Sequence, residues 1–137
     1  MVRSWIRGWT RAAAGFVVLV AGSAAPARIT LNTIDSVIVA TGNGRHVVVT
    51  GPLACDAGER VYLSVMVTQR TTGAVATART FVVCKGEERQ WGIDAVVIGN
   101  ERFETGPAIA VAVARTITKG VATDAHQWLV PVALVEE

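Results

Sequence analysis

Residues 28–137 hold few side chains able to do covalent, acid–base or metal chemistry: Cys55 and Cys84, Ser36 and Ser64, His46 and His126, and scattered carboxylates. Cys55 and Cys84 are the only cysteines. Their spacing gives no C-x-x-C redox motif and no histidine cluster completes a tetrahedral metal site, so the pair is read as a disulfide. Closing a loop of that size is worth about 3 to 4 kcal/mol in the chain-entropy picture. Ser64 has no G-x-S-x-G elbow around it and falls opposite an apolar row, where a hydroxyl normally meets solvent or a cross-strand partner. Asp124 and His126 are two apart, share a strand face and could offer two metal ligands, but a third and fourth have no source. The adjacent Glu87 and Glu88 point to opposite sides of a turn. The inventory predicts no catalytic residue, no metal and no cofactor.

The compartment is written in the first 27 residues. Arg3, Arg7 and Arg11 form a positive leader, Ala12 to Ala21 a short apolar core, and Ala25-Pro26-Ala27 an A-x-A site, which predicts a signal peptide over residues 1–27 cleaved before Arg28. A retained membrane anchor is the alternative, but an apolar run of about 10 residues is well short of the roughly 20 that span a bilayer. The leader has no adjacent arginine pair and no cysteine stands at the cleavage site, so the general secretory route is expected, without a lipid anchor. The mature protein, residues 28–137, is expected to be secreted, with no membrane span.

Removing the leader changes the charge. Of 13 Lys and Arg, three lie in the first 27 residues, which carry no acid, so residues 28–137 balance 10 basic against 11 acidic side chains. With no surplus of positive charge, and basic residues spread singly from Arg28 to Lys119, the sequence offers no electrostatic footprint for nucleic acid or anionic lipid.

The elements that must position these residues read as strands. Apolar side chains recur with period two, rich in Val, Ile and Thr, between closely spaced turn residues, and no segment has helical periodicity. The first extended stretch, Ile29 to Ala40, has a break expected near Asp35-Ser36. The second runs from His46 to Cys55, with its odd positions, Cys55 included, on the apolar face. Val61, Leu63, Val65 and Val67 alternate with Tyr62, Ser64, Met66 and Thr68 in the third, and Ala74 to Cys84 forms the fourth. Arg89 to about Ile98 and Pro107 to Thr118 are the fifth and sixth. The seventh carries Trp128, Val130, Val132 and Leu134 on one face, with Pro131 marking an edge or bulge.

Seven short antiparallel strands in about 110 residues, with one disulfide, predict an all-β fold: a single immunoglobulin-like antiparallel β-sandwich over residues 28–137. A closed barrel of similar strand number is the alternative. The cysteine separation is shorter than in antibody domains, and no Trp stands between Cys55 and Cys84. The runs Val47-Val48-Val49-Thr50-Gly51-Pro52-Leu53-Ala54-Cys55, Val61-Tyr62-Leu63-Ser64 with Gln69, Cys84-Lys85-Gly86 with Trp91, and Gly106-Pro107-Ala108 resemble small exported two-cysteine β-sandwich domains of high-GC bacteria. That resemblance implies a secreted, disulfide-bonded domain and carries over no catalytic or binding residue.

Two features fit a partner surface. Ala108, Ala110, Ala112 and Ala114 make one face of the sixth strand a flat apolar strip suited to sheet contact. Phe103, flanked by Arg102 and Glu104 in the loop from Gly99 to Gly106, has the composition of a contact tip. The sequence therefore reads as a non-enzymatic binding domain for an unidentified protein or cell-surface ligand, monomeric or weakly self-associating. A structural subunit that assembles through an exposed sheet edge or apolar face is the alternative.

Overall fold

The period-two alternation becomes eight strands in a computed structural model that describes residues 28–137. The signal peptide expected over residues 1–27 lies outside the described residues. The strands are β1 (Ile29–Asn32), β2 (Val37–Thr41), β3 (His46–Cys55), β4 (Arg60–Gln69), β5 (Ala74–Val83), β6 (Arg89–Val97), β7 (Gly106–Thr118) and β8 (Val121–Glu136). The break expected in the first extended stretch is present and separates β1 from β2. Both halves run along β3, with Ile29 to Asn32 opposite Leu53 to Cys55 and Val39 to Thr41 opposite His46 to Val48. Asp35 stitches the break down, its N–H donating to the Thr50 carbonyl at 2.8 Å and its carboxylate accepting from Thr50 Oγ1 at 2.6 Å and Gln90 Nε2 at 2.8 Å. Gly51 lies beneath the break because a Cβ there would overlap the Thr33 carbonyl oxygen.

The expected immunoglobulin-like sandwich does not form. Strands β2 through β8 make one sheet in the order β3-β2-β8-β7-β4-β5-β6, and β6 returns to pair with β3, which closes a seven-stranded barrel. Closure rests on two long-range pairings. Val37 to Ala40 run parallel to Ala133 to Glu136, and His46 to Leu53 run antiparallel to Arg89 to Val96. The barrel is therefore mixed, with one parallel pair where an all-antiparallel arrangement was expected. Period-two alternation is shared by sandwiches and barrels, so the local pattern could not separate them.

The interior is filled by the inward rows of the strands, including Val47, Val49, Leu63, Val65 and Val67, with Trp91 and Leu134. The alanine strip of β7 belongs to this interior, with Ala110 and Ala112 fully buried. That corrects its reading as a partner surface. In a narrow barrel the centre has room for bulky residues on some strands only if others supply small ones, and β7 is the small side. Its larger residues, Ile109, Val111 and Val113, point outward.

One seam is loosely sewn. β5 and β6 pair only at Ala76–Val97 and Thr77–Val96. Below that level Arg89 reaches across with Nη1 donating to the Val83 carbonyl at 2.8 Å. The Cys55–Cys84 disulfide, with Cα atoms 5.6 Å apart, ties the lower end of β5 to that of β3. The staple therefore sits where the ladder of hydrogen bonds is thinnest.

Candidate binding face

β4 stands between β5 and β7, and long uninterrupted registers fix which side chains meet on the outside of this wall. Tyr62 is opposite Phe81 on one side and Arg115 on the other, and Ser64 is opposite Arg79 and Val113. Ser64 is small among large neighbours, so it forms the floor of two adjoining depressions of ≈ 440 and ≈ 500 Å³. Both are walled by Arg79 and Val113, with Tyr62 and Arg115 at one end and Met66 and Val111 at the other. Arg60 lies above the Phe81 ring, its guanidinium carbon 4.6 Å from the centroid, and Tyr62 and Phe81 are 6.1 Å apart with a 45° tilt.

The charge on this wall has one sign. β4, β5 and β7 contain no Asp or Glu, and each contributes one exposed arginine: Arg60, Arg79 and Arg115. Among the described residues none of the three pairs with a carboxylate; the contacts between basic and acidic side chains are His46–Asp94 and His126–Asp124, both at 3.2 Å. Unpaired guanidinium groups beside apolar walls keep all their donors for a ligand, and their planar fork suits carboxylate or phosphate oxygens. Tyr62 adds a phenolic hydroxyl and Ser64 a second hydroxyl on the floor.

The residues singled out from sequence lie elsewhere. Phe103 is 2% exposed and closes one end of the barrel instead of projecting from the loop. Its N–H donates to the Gly44 carbonyl at 2.9 Å. Gly44 has φ +79°, and a Cβ there would overlap Phe103's carbonyl oxygen, so the turn and the loop lock together at a point only glycine permits. Arg102 and Glu104 remain exposed on the rim of a ≈ 300 Å³ depression that also includes Glu136 and Glu137. The residue that holds this loop is Gln69, 1% exposed. Its Oε1 accepts from the Glu104 N–H at 2.9 Å and from Thr72 Oγ1 at 3.1 Å, and its Nε2 donates to the carbonyls of Glu104 at 2.9 Å and Pro107 at 3.3 Å.

Asp124 and His126 are adjacent, as their spacing requires, but the carboxylate is already engaged. Asp124 Oδ2 accepts the Ile29 N–H at 2.8 Å and lies 3.2 Å from His126 Nε2, while Oδ1 accepts the Ala125 N–H at 3.0 Å. The Ile29 hydrogen bond is the main cause that holds this carboxyl below the ordinary carboxylate range; partial burial opposes it and His126 assists. The His126 ring stacks on Trp128 with centroids 5.5 Å apart. The pair therefore pins β1 to β8. Ser64 has arginine, valine and tyrosine around it, while both histidines lie on other strands.

No family model matches the chain, and no curated protein matches it. Among solved structures, a glycosyl hydrolase family 2 member from Bacteroides cellulosilyticus DSM 14838 is similar over 78% of this chain and 15% of its own, at 14% identity and a TM-score of 0.45. The alkylpurine DNA glycosylase AlkC of Pseudomonas fluorescens, bound to DNA containing an abasic site analog, is similar over 87% of this chain and 33% of its own, at 12% identity and a TM-score of 0.37. The chain thus spans a minor part of either protein, and likenesses this distant say nothing about its activity.

Proposed function

We propose that this protein is a secreted, non-catalytic binding module that takes an anionic partner on the outer face of β5, β4 and β7. The observation that carries the reading is the gathering of Arg60, Arg79 and Arg115 on three adjacent strands that hold no carboxylate. Residues 28–137 balance 10 basic against 11 acidic groups, so the positive field is local to this wall and orients an anion without making the whole molecule sticky. Secretion fits the export signal read in residues 1–27, and the disulfide fits an oxidising exterior.

The test is a titration of the oxidised domain, Arg28 to Glu137, with two soluble polyanions, dextran sulfate and polyglutamate, followed through its tryptophan fluorescence. Saturable binding that weakens with salt and is lost in Arg79→Ala/Arg115→Ala supports the reading. Binding that the double substitution leaves unchanged, or no binding to any anion, overturns it.

A further inference from the structure

The wall that carries the arginines also exposes several large apolar side chains. Next along from Arg79, Ser64 and Val113 comes a row in which Met66 is opposite Val111 and Val111 is opposite Leu129, and beyond it Ile109 is opposite Pro131. Leu129 is 67% exposed, Phe81 51% and Met66 45%. An antiparallel wall facing water normally alternates apolar inside with polar outside, whereas here the outer side sets large apolar side chains among Thr68, Thr77, Gln127 and the three arginines. The outward positions of β8 from Ala125 to Val135 add no acid to it.

Three kinds of occupant can be weighed against this surface. A hydrophilic polyanion would satisfy the arginines and leave the apolar rows wet. A second copy of the chain would cover the rows, but every charge brought together by two such faces is positive, and like charges across an interface oppose it. An anionic bilayer meets both requirements: lipid phosphates accept from the guanidinium groups, and the apolar side chains enter the boundary between headgroups and acyl chains. Arginine stems are long enough to lie along Val113 and Phe81 while their heads stay at phosphate level.

We propose that the protein docks peripherally on an anionic lipid surface, lying on its side with the β5–β4–β7–β8 wall against the membrane. Arg60, Arg79 and Arg115 engage headgroup phosphates, and Leu129, Met66 and Ile109 supply the apolar contact. This rests on the anionic-partner reading above and narrows it to lipid; it reverses the expectation of no footprint for anionic lipid, because the register gathers arginines that are spread singly along the chain. Neither part suffices alone: three arginines give a weak, salt-sensitive attraction, and a few apolar side chains give no preference for charged lipid.

The experiment is co-sedimentation of oxidised Arg28–Glu137 with vesicles of phosphatidylcholine, and with vesicles of equal parts phosphatidylcholine and phosphatidylglycerol. Cooperative unfolding is checked for each variant, and the dextran sulfate and polyglutamate titrations run in parallel. The expected result is binding to the anionic vesicles alone. Arg79→Ala/Arg115→Ala should weaken it about thirty-fold, at roughly 1 kcal/mol per arginine near a charged surface. Leu129→Asn, at an exposed position, should weaken vesicle binding several-fold while leaving polyanion binding unchanged. Binding to anionic vesicles no better than to neutral ones overturns the lipid proposal, and so does anionic-vesicle binding that is indifferent to Leu129→Asn. If the soluble polyanions still bind with arginine dependence, the anionic-partner reading survives that failure. If neither vesicles nor polyanions bind, both fall.

Discussion

Replacing Gln69 with leucine tests whether one buried amide holds the long loop and the end of the barrel together. The substitution keeps approximate volume and removes four hydrogen bonds. Two of them matter little. Thr72, which also accepts from the Ala74 N–H, can turn its hydroxyl to water, and the bond to Pro107 is 3.3 Å long. The two 2.9 Å bonds to the Glu104 N–H and carbonyl are strong and part-buried, made from a Gln69 side chain that is itself buried. Each lost bond that leaves a backbone group without a partner costs about 1 to 2 kcal/mol, so Gln69→Leu should destabilise the domain by about 2 to 4 kcal/mol. For a domain of this size about 1 kcal/mol moves Tm by roughly 4 °C, giving a drop of about 8 to 16 °C in thermal unfolding followed by circular dichroism. Gln69→Glu is the companion variant. Its carboxylate can still accept from the Glu104 N–H but sets an oxygen against the Glu104 carbonyl. Burial should raise its pKa, so this variant should regain stability relative to Gln69→Leu as pH falls and the acid becomes a donor. A Gln69→Leu protein melting within about 2 °C of the parent would refute the reasoning and show that Phe103 packing alone secures the loop.

Other expectations follow from the same geometry. Cys55→Ala/Cys84→Ala should lose about 3 to 4 kcal/mol in urea unfolding, and more if the β5–β6 seam opens in the native state; a loss under about 1 kcal/mol would mean the staple is ornamental. Gly51→Ala should be severely destabilising, because its Cβ collides with the Thr33 carbonyl and crowds Trp91; a variant of parental stability would show that the β1–β2 break can shift freely. Asn32 is buried, and among the described residues neither its Oδ1 nor its Nδ2 has a hydrogen-bond partner, so Asn32→Leu should be neutral or stabilising by about 1 to 2 kcal/mol. Asp124 has a folded-state pKa below its unfolded one, so the stability it contributes is present above the ordinary carboxylate range and lost as pH falls through the folded value. Unfolding midpoints of the parent and Asp124→Asn should therefore converge in acid, and a gap that widened on acidification would contradict the assignment.

Strand positions were legible because alternation is local. His46 to Cys55 is β3 to the residue, and the inward and outward rows of β3, β4 and β5 fall as parity dictates. Closure was not legible, since nothing in Val37 to Ala40 announces a parallel partner at Ala133 to Glu136. The alanine strip and Phe103 misled for a shared reason. Each was judged by its own neighbours in sequence, when its burial is decided by what lies across the barrel. Arg60, Arg79 and Arg115 look isolated along the chain, and only the register through Tyr62 and Ser64 assembles them. Gln69 could have been found: it continues the parity of Val61, Leu63, Val65 and Val67, which places an amide inside the wall, where it needs partners.

The parallel pairing of β2 with β8 also sets the order in which the molecule can be born. Hairpins such as β4–β5 and β7–β8 can form as soon as their own residues are free, but the cylinder stays an open sheet until Ala133 to Glu136 reach Val37 to Ala40. A chain delivered across a membrane from its N-terminus would therefore stay pliable throughout transit. Products cut short before Ala133 would lack the final seam and expose an edge to proteases. The topology thus acts as a proofreader of synthesis, because the barrel locks only once Ala133 to Glu136 are present.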